Sequence, residues 1–357
     1  MAASDSFRNR PGAAEGARAF LATASITLVG IAVVFFMALF YVAQVASEPG
    51  PTKNAPASKI FEAPKGASMS TIAKKLEHEG FIRSALLFRV SVRVLGIGGT
   101  AKAGEYAISP GASMVEIYDM LRKGRGLQYS FTVPEGFSSA LMMDALNANA
   151  MLNGAVVAAP PEGSILPETY LFGRNTDRNE LIRRMQDAQK KVLADLWAKR
   201  AASLPISSPE EAVILASVVE KETSVPEEYG QVAAVFINRL RQGIRLESDP
   251  TIIYGITKGR PLGRTITRAD IDTKTPWNTY TIDGLPATPI SNPSRQALAA
   301  VLNPPSSSNI IFVADGTGGH AFAQTLDEHN ENVKRWYAIK QAKAKALAAI
   351  EDLPRQE

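Results

Sequence analysis

The apolar and polar positions open on a stretch without a single charge, from Ala19 to Ser47, whose centre reads ITLVGIAVVFFMALFYVAQVA. About 20 apolar residues suffice for a helix to cross the hydrocarbon core of a bilayer, and this run exceeds that. Nothing polar interrupts it, which disfavours an ordinary core helix. A cleaved leader usually has an apolar region of about 7–15 residues, although Val45-Ala46-Ser47 leaves a cleavage site open. The expected order is a polar tail over 1–18, a membrane helix over 19–45 and a tether over 46–59. EPGPTKNAPASK (Glu48–Lys59) has the prolines and small residues of an extended tether.

Further on, a short pattern repeats. Gly66-Ala67-Ser68-Met69 recurs as Gly111-Ala112-Ser113-Met114, and Pro134-Glu135-Gly136 opens a looser third copy. In each, a β-prone segment runs into a glycine turn, a polar start and an amphipathic helix. A recurrent strand-to-helix start accounts for this by itself. GASMSTIAKKL also resembles the opening of a LysM module, and that resemblance implies a region over 60–158 binding glycans that contain N-acetylglucosamine.

From about Pro160 the character changes. PPEGSILPETYLF reads as a loop and an extended segment, and DRNELIRRMQDAQKKVLADLWAKRAA as a helix with apolar Leu181, Met185, Val192 and Leu196. Ser208-Pro209-Glu210-Glu211 starts another helix, with Ser208 as cap, Pro209 in the first position and Glu211 closing a capping box. From Ala212 to Val219 that helix is apolar on every face except for Ser217, so it is predicted to be buried, with Glu220, Lys221 and Glu222 at its end. PEEYGQVAAVFINRLRQG follows as a helix stopping at Gly243. NIIFVA and HAFAQT read as a hairpin around Asp315–Gly319, and a last helix starts at Asp327.

Composition narrows the chemistry. The 357 residues carry a net charge of +4 with no block of five like charges, so nucleic acid is not an expected partner. There is no cysteine, which excludes disulfides, iron–sulfur clusters and thiol catalysis. Arg8, Arg10 and Arg18 before the apolar run outweigh Lys53 and Lys59 after it, a weak lean towards a cytoplasmic N-terminus. Gly-x-Ser-x-Gly, Ser-x-x-Lys and a phosphate-binding loop are all missing from the sequence. His78, His320 and His329 form no zinc motif, and no cofactor is implied. Gly96-x-Gly98-x-x-Ala101 and Gly316-x-Gly318-x-x-Ala321 precede strand-like stretches, so they read as turns rather than dinucleotide fingerprints.

Carboxylates remain. Glu220 ends the greasy helix beside Val218 and Val219, where partial burial raises a carboxyl pKa and suits a general acid near neutral pH. A solvated helix-end charge, or a partner for Arg239, is the plain alternative. Glu222, two residues on, points to another face.

In order and spacing, ILASVVEKET, VFINRL, RLESDPTIIYGI, WNTYTIDGLP and FVADGTGGHAF resemble the endolytic murein transglycosylases known as MltG or YceG-like proteins, most strongly over about 160–335. The resemblance implies an α+β protein with one N-terminal transmembrane helix, LysM-like α/β modules, a mixed α+β catalytic domain over 159–345 and a tail over 346–357. It implies a membrane-bound lyase, extracytoplasmic apart from its N-terminus. This would cut the bond between N-acetylmuramic acid and N-acetylglucosamine in nascent peptidoglycan strands without water, leaving 1,6-anhydro ends and stopping elongation. Its partners would be peptidoglycan strands, the cytoplasmic membrane and peptidoglycan synthases. The family's catalytic Glu falls on Glu220. Candidates for holding glycan are Glu222, Asn238, Arg239, Ser248, Asp249, Thr251, Tyr254, Asn278, Tyr280 and His320, each with a plain structural alternative; Asp249-Pro250, for example, can simply form a turn. The chain departs from the family pattern at Ser164-Ile165-Leu166, at Glu168 and at Ala287-Thr288, all in the expected cleft wall. A wall-binding protein with a decayed cleft is the rival reading. An esterase or amidase fails for want of a nucleophile or metal set.

Overall fold

The computed structural model describes residues 13–95 and 100–351. The Gly96–Gly98 pattern therefore lies outside the described residues. By packing, the chain divides into two compact units, residues 1–128 and 129–357.

The first unit begins with α1 (Ala13–Ser47), in which Phe20–Ser47 is long and apolar enough to cross a membrane. Then come β1 (Lys59–Ala63), α2 (Met69–His78), α3 (Ala85–Val94), β2 (Gly104–Ile108) and α4 (Met114–Lys123). β1 and β2 pair antiparallel, with Phe61 opposite Tyr106. Helices and sheet enclose a core of Phe61, Ile72, Leu76, Phe81, Phe88, Tyr106, Ile117 and Leu121. The tether expected over 46–59 is not free along its length. Ala46 is fully buried in that core. Glu48 pairs with Arg83 at 3.2 Å. The Gly50 N–H donates to the Gly111 carbonyl (3.1 Å), and the Gly111 N–H donates to the Thr52 hydroxyl (3.2 Å). Small residues and glycine let this backbone lie close against the turn before α4.

The second unit contains β3 (Tyr129–Thr132), α5 (Ser139–Ala148), β4 (Leu152–Asn153), β5 (Thr169–Phe172), β6 (Thr176–Asp177) and α6 (Arg178–Trp197). These are followed by α7 (Pro209–Glu222), a short 3₁₀ turn (Pro226–Glu228), α8 (Tyr229–Gln242), α9 (Asp249–Thr257), α10 (Arg268–Asp272) and α11 (Arg295–Leu302). The β7 (Ile311–Ala314) and β8 (His320–Ala323) hairpin and α12 (Leu326–Glu351) complete it. β3 pairs antiparallel with β5, β4 parallel with β6, and β7 antiparallel with β8, with Ala314 opposite His320. Gly316 and Gly318 lie in the turn of that last hairpin, and Ala321 in β8. One core forms around β3, α5, β5 and α6, from Phe131, Met142, Leu146, Phe172, Leu181 and Met185. The other gathers α7, α8 and α11 through Leu215, Val219, Val232, Phe236, Leu298 and Val301. The packing boundary at 128/129 differs from the expected 158/159, because Phe131, Val133, Met142 and Leu146 share a core with Ile165, Leu181 and Met185.

The repeat is real at the level of the backbone. Gly66, Gly111 and Gly136 adopt φ values of 73°, 72° and 69°, a left-handed conformation that glycine takes without strain. Two residues on, the hydroxyls of Ser68, Ser113 and Ser138 cap α2, α4 and α5 by accepting from Thr71, Glu116 and Leu141 N–H groups. The first two copies belong to the first unit and the third to the second.

Candidate active site

The start of α7 follows from its sequence. Ser208 accepts from the Glu211 N–H (3.2 Å), and Pro209 occupies the first position, where no N–H is needed. The reciprocal half of the expected capping box is displaced. The Glu211 carboxylate accepts from the Ser207 N–H (2.6 Å) and hydroxyl (3.0 Å), because Ser207 offers two donors within its reach. From Ala212 to Glu220 every residue but half-buried Ile214 is enclosed.

Burial continues to the carboxyl itself, Glu220 being only 7% exposed. Its Oε1 accepts from the Tyr229 hydroxyl (2.9 Å), and its Oε2 accepts from the Ser294 N–H (2.8 Å). The two donors replace water that burial removes. They arrive by different routes. Tyr229 opens α8, just after the turn that follows α7. Ser294 caps α11, and the loop before it is stitched to α7. Ser217 Oγ donates to the Ile214 carbonyl (2.7 Å) and accepts from the Ile290 N–H (2.9 Å), while Ser291 donates to the Ser217 carbonyl (3.2 Å).

Asn292 in the same loop holds the third glycine turn. Its N–H donates to the Phe137 carbonyl (2.9 Å), and its side-chain amide reaches that carbonyl (3.0 Å) and Glu162 (3.3 Å). Gly136 thereby lies next to Glu220 and Lys221. A Cβ on Gly136 would sit 3.4 Å from Lys221 Cδ and 3.6 Å from Glu220 Cγ. Glu135, exposed at the head of the turn, has its pKa raised by partial burial and by the negative charge of Glu220. The Tyr229 hydroxyl is raised as well, by burial and then by Glu220. A cavity of ≈ 370 Å³ opens beside the turn, lined by Gly136, Ser138, Lys221, Ile253, Tyr254 and Ile290 among others.

On the opposite side of α7, Glu222 meets a different setting. Although part of the residue reaches the surface, its carboxyl is enclosed, and burial pushes its pKa up to about 7. The Ser248 hydroxyl donates to it, which lowers the value, and the charge of Asp249 raises it. Arg239, Asp249 and Tyr280 join Glu222 around a second cavity of ≈ 370 Å³. Tyr280 Oη donates to Asp249 (2.8 Å).

The ten expected glycan contacts thus scatter, and none of them donates a hydrogen bond to Glu220. Glu222, Arg239, Asp249 and Tyr280 line the second cavity, while Tyr254 lines the first. Tyr254 donates to Glu162 (3.3 Å), and burial and that carboxylate push it up to about 12. Arg239 does not pair with Glu220 or Glu222. It donates to the carbonyls of Ile310 (2.7 Å) and Arg245 (2.8 Å), and to Glu247 (3.0 Å). Asn238 is buried and donates to the carbonyls of Ser307 and Asn309. Thr251 donates to the Ser248 carbonyl (2.6 Å), and Asn278 donates to those of Ile271 and Thr273. The polar atoms of these three are occupied by protein partners. Ser248 is 1% exposed and caps no N–H, but Asp249-Pro250 does open α9. His320 contacts Glu228 through Nδ1 (2.7 Å). Burial pushes Glu228 up, but bonds from His320 and Thr223 outweigh it and hold its pKa below the usual range.

Tyr229, Ser294, Glu135 and Asn292 escaped the sequence reading. Only the Pro134-Glu135-Gly136 repeat gave a signal for any of them.

The YceG-like family profile matches residues 61–335. The chain belongs to the YceG-like family. It is 25% identical over 311 residues to the endolytic murein transglycosylase of Bacillus subtilis strain 168, covering 78% of this chain and 85% of that one. It is 28% identical over 319 residues to the endolytic murein transglycosylase of Streptococcus pneumoniae serotype 2 strain D39, covering 76% of this chain and 57% of that one. It thus spans little more than half of its pneumococcal relative. A crystallised YceG-like protein of Listeria monocytogenes aligns with 78% of this chain and 99% of its own, at 26% identity and a TM-score of 0.49.

Proposed function

We propose that this YceG-like chain is a peptidoglycan lytic transglycosylase. In this reading it cuts the bond between N-acetylmuramic acid and N-acetylglucosamine inside a strand, leaves a 1,6-anhydro end, and uses Glu220 as both acid and base. The observation that carries the reading is a buried carboxyl, fixed by Tyr229 and the Ser294 N–H, next to a glycine turn whose Gly136 lines a cavity. The family membership and the names of the two relatives support it.

Hydrolytic glycosidases need a second carboxylate to activate water or to attack the sugar. Attack by the sugar's own 6-hydroxyl removes that need. Protonated Glu220 gives its proton to the leaving oxygen as the bond from that oxygen to the muramic acid C1 breaks. The 6-hydroxyl oxygen bonds to C1, and its proton passes to the Glu220 carboxylate. The attack is intramolecular and gains the proximity a bimolecular step lacks. The Ser294 N–H can hold Oε2 throughout. A tyrosine hydroxyl donates or accepts by rotating, so Tyr229 can follow the change of protonation at Oε1. Glu135, near enough to feel the charge of Glu220, adds a second carboxyl close to it. Tyr254 offers a ring face to a sugar, and cavities of this size are ordinary for small ligands.

The remaining parts of the reading concern place. α1 anchors the chain in the cytoplasmic membrane with its N-terminus inside, and the first unit binds wall glycan as a LysM-like module. Tethering then confines cutting to nascent strands near their synthases. Digestion of purified glycan strands, followed by mass spectrometry, tests the chemistry. Fragments with 1,6-anhydro ends are expected from the wild-type chain and none from Glu220→Gln. Ordinary reducing ends would mean hydrolysis instead, and undiminished cutting by the variant would remove Glu220 from its role.

A further inference from the structure

The second half of α1 and the whole of α3 carry an inference about the membrane surface. From Phe20 to Ala38 the residues of α1 whose side chains are described are all exposed, and contact with the rest of the first unit starts at Leu39. At 1.5 Å per residue, those 19 positions measure about 28 Å, close to the roughly 30 Å of a bilayer's hydrocarbon core. Beyond them Leu39, Val42, Ala43 and Val45 are half-buried and Ala46 is fully buried. The unit therefore grips α1 from the level at which the helix leaves hydrocarbon.

α3 is one of the elements packed against α1 there. Its inner face supplies Ala85, Phe88 and Ser91 to the core. Its outer face is unusual for a water-facing helix. Leu86, Val90 and Val94 follow one another at a spacing of four and are 67%, 36% and 37% exposed. Arg89 and Arg93 are exposed on the same face, and residues 81–95 contain three arginines and no acidic side chain. Apolar side chains beside arginines form the pattern of a helix lying in the headgroup zone, where arginine stems run along the apolar surface and guanidinium groups reach phosphate.

We propose that α3 rests on the membrane, with Leu86, Val90 and Val94 entering the interface and Arg89 and Arg93 pairing with anionic lipid headgroups. This rests on the reading of α1 as a membrane span. Continuity with that span and the excess of positive charge select a lipid surface as the occupant. Basic residues are drawn to a bilayer surface that carries anionic lipid, so Arg89 and Arg93 bias the unit towards such a surface. The first unit would then be fixed both in height and in orientation relative to the bilayer.

The lack of cysteine makes the test direct. Single Val90→Cys, Phe36→Cys and Glu77→Cys variants of the full chain are labelled with an environment-sensitive nitrobenzoxadiazole dye. They are reconstituted in nanodiscs with and without about 30 mol% phosphatidylglycerol, whose anionic headgroups give the bilayer a negative surface potential. The position 90 dye should shift to the blue and lose about half its emission to a nitroxide placed roughly 5–10 Å below the headgroups, more strongly with the anionic lipid. Position 77 should stay at its value in water, and position 36 should be quenched by deep nitroxides. Arg89→Gln with Arg93→Gln should abolish the dependence on anionic lipid. If position 90 matches position 77 while position 36 is deeply quenched, the span stands and the surface contact is overturned. If position 36 escapes quenching, the span itself is wrong. A blue shift at position 90 in detergent that grows with protein concentration would assign the face to a second copy of the chain and overturn the lipid contact.

Discussion

Glu220 and Glu222 stand two residues apart on one helix and differ in everything but their chemistry. Glu220 faces the joint between α7, α8 and α11, where a hydroxyl and a backbone N–H each take one oxygen. Glu222 faces α9, where one serine hydroxyl donates and Asp249 adds a like charge. A turn of about 200° separates them, so the same helix end serves two surfaces. The contrast teaches that a carboxyl's role is set by who donates to it. Two fixed donors favour proton transfer at a defined atom. Enclosure with a single donor favours a neutral, structural or ligand-facing group.

The sharpest way to break this contrast is to neutralise each carboxyl in turn. Glu220→Gln keeps size and removes the titrating proton, and glycan cleavage should fall by about 10²–10⁴-fold, the usual range for a general acid–base. Circular dichroism should show the fold intact. Glu222→Gln should act mainly on stability. Its pKa in the folded chain is about 7, above the ordinary 4.5. The fold prefers the neutral form, so this contribution is complete below about pH 4.5 and is lost as pH rises through about 7, up to about 3 kcal/mol. Thermal melts should show the variant more stable than wild type at pH 8 and equal to it at pH 4. Equal stability at pH 8 would mean that the carboxyl is not enclosed.

Tyr229→Phe tests the donor rather than the acid. Loss of a hydrogen bond to a charged group costs about 1.5–3 kcal/mol, so cleavage should drop roughly ten- to a hundredfold without loss of glycan binding. The smallest effect concerns Glu135. Its raised pKa comes from burial and then from the charge of Glu220. In Glu220→Gln the second cause is gone, and NMR should find Glu135 titrating at lower pH than in wild type. An unchanged value would separate the two groups.

The sequence was most legible where local rules decide structure. Ser208 and Pro209 announced the start of α7, Gly243 its neighbour's end, and Asp315–Gly319 the hairpin turn. Unbroken apolar residues from Ala212 to Val219 marked the helix that carries Glu220 inward. What could not be read were partners made by tertiary contact. Ser294 is 74 residues from Glu220, and its donor is a backbone N–H that any residue but proline supplies. Asn238 and Asn278 stand among the candidate glycan contacts, yet backbone carbonyls brought alongside claim their amides. The tether looked free because small residues permit extension, and they equally permit close docking.

One property of the Ser294 bond reaches past the chemistry. A donor that belongs to the main chain cannot be deleted by ordinary side-chain mutation, so residues around it can drift while half of Glu220's anchorage is inherited unchanged. In a lineage of such proteins, the path of this loop would outlast the letters that spell it.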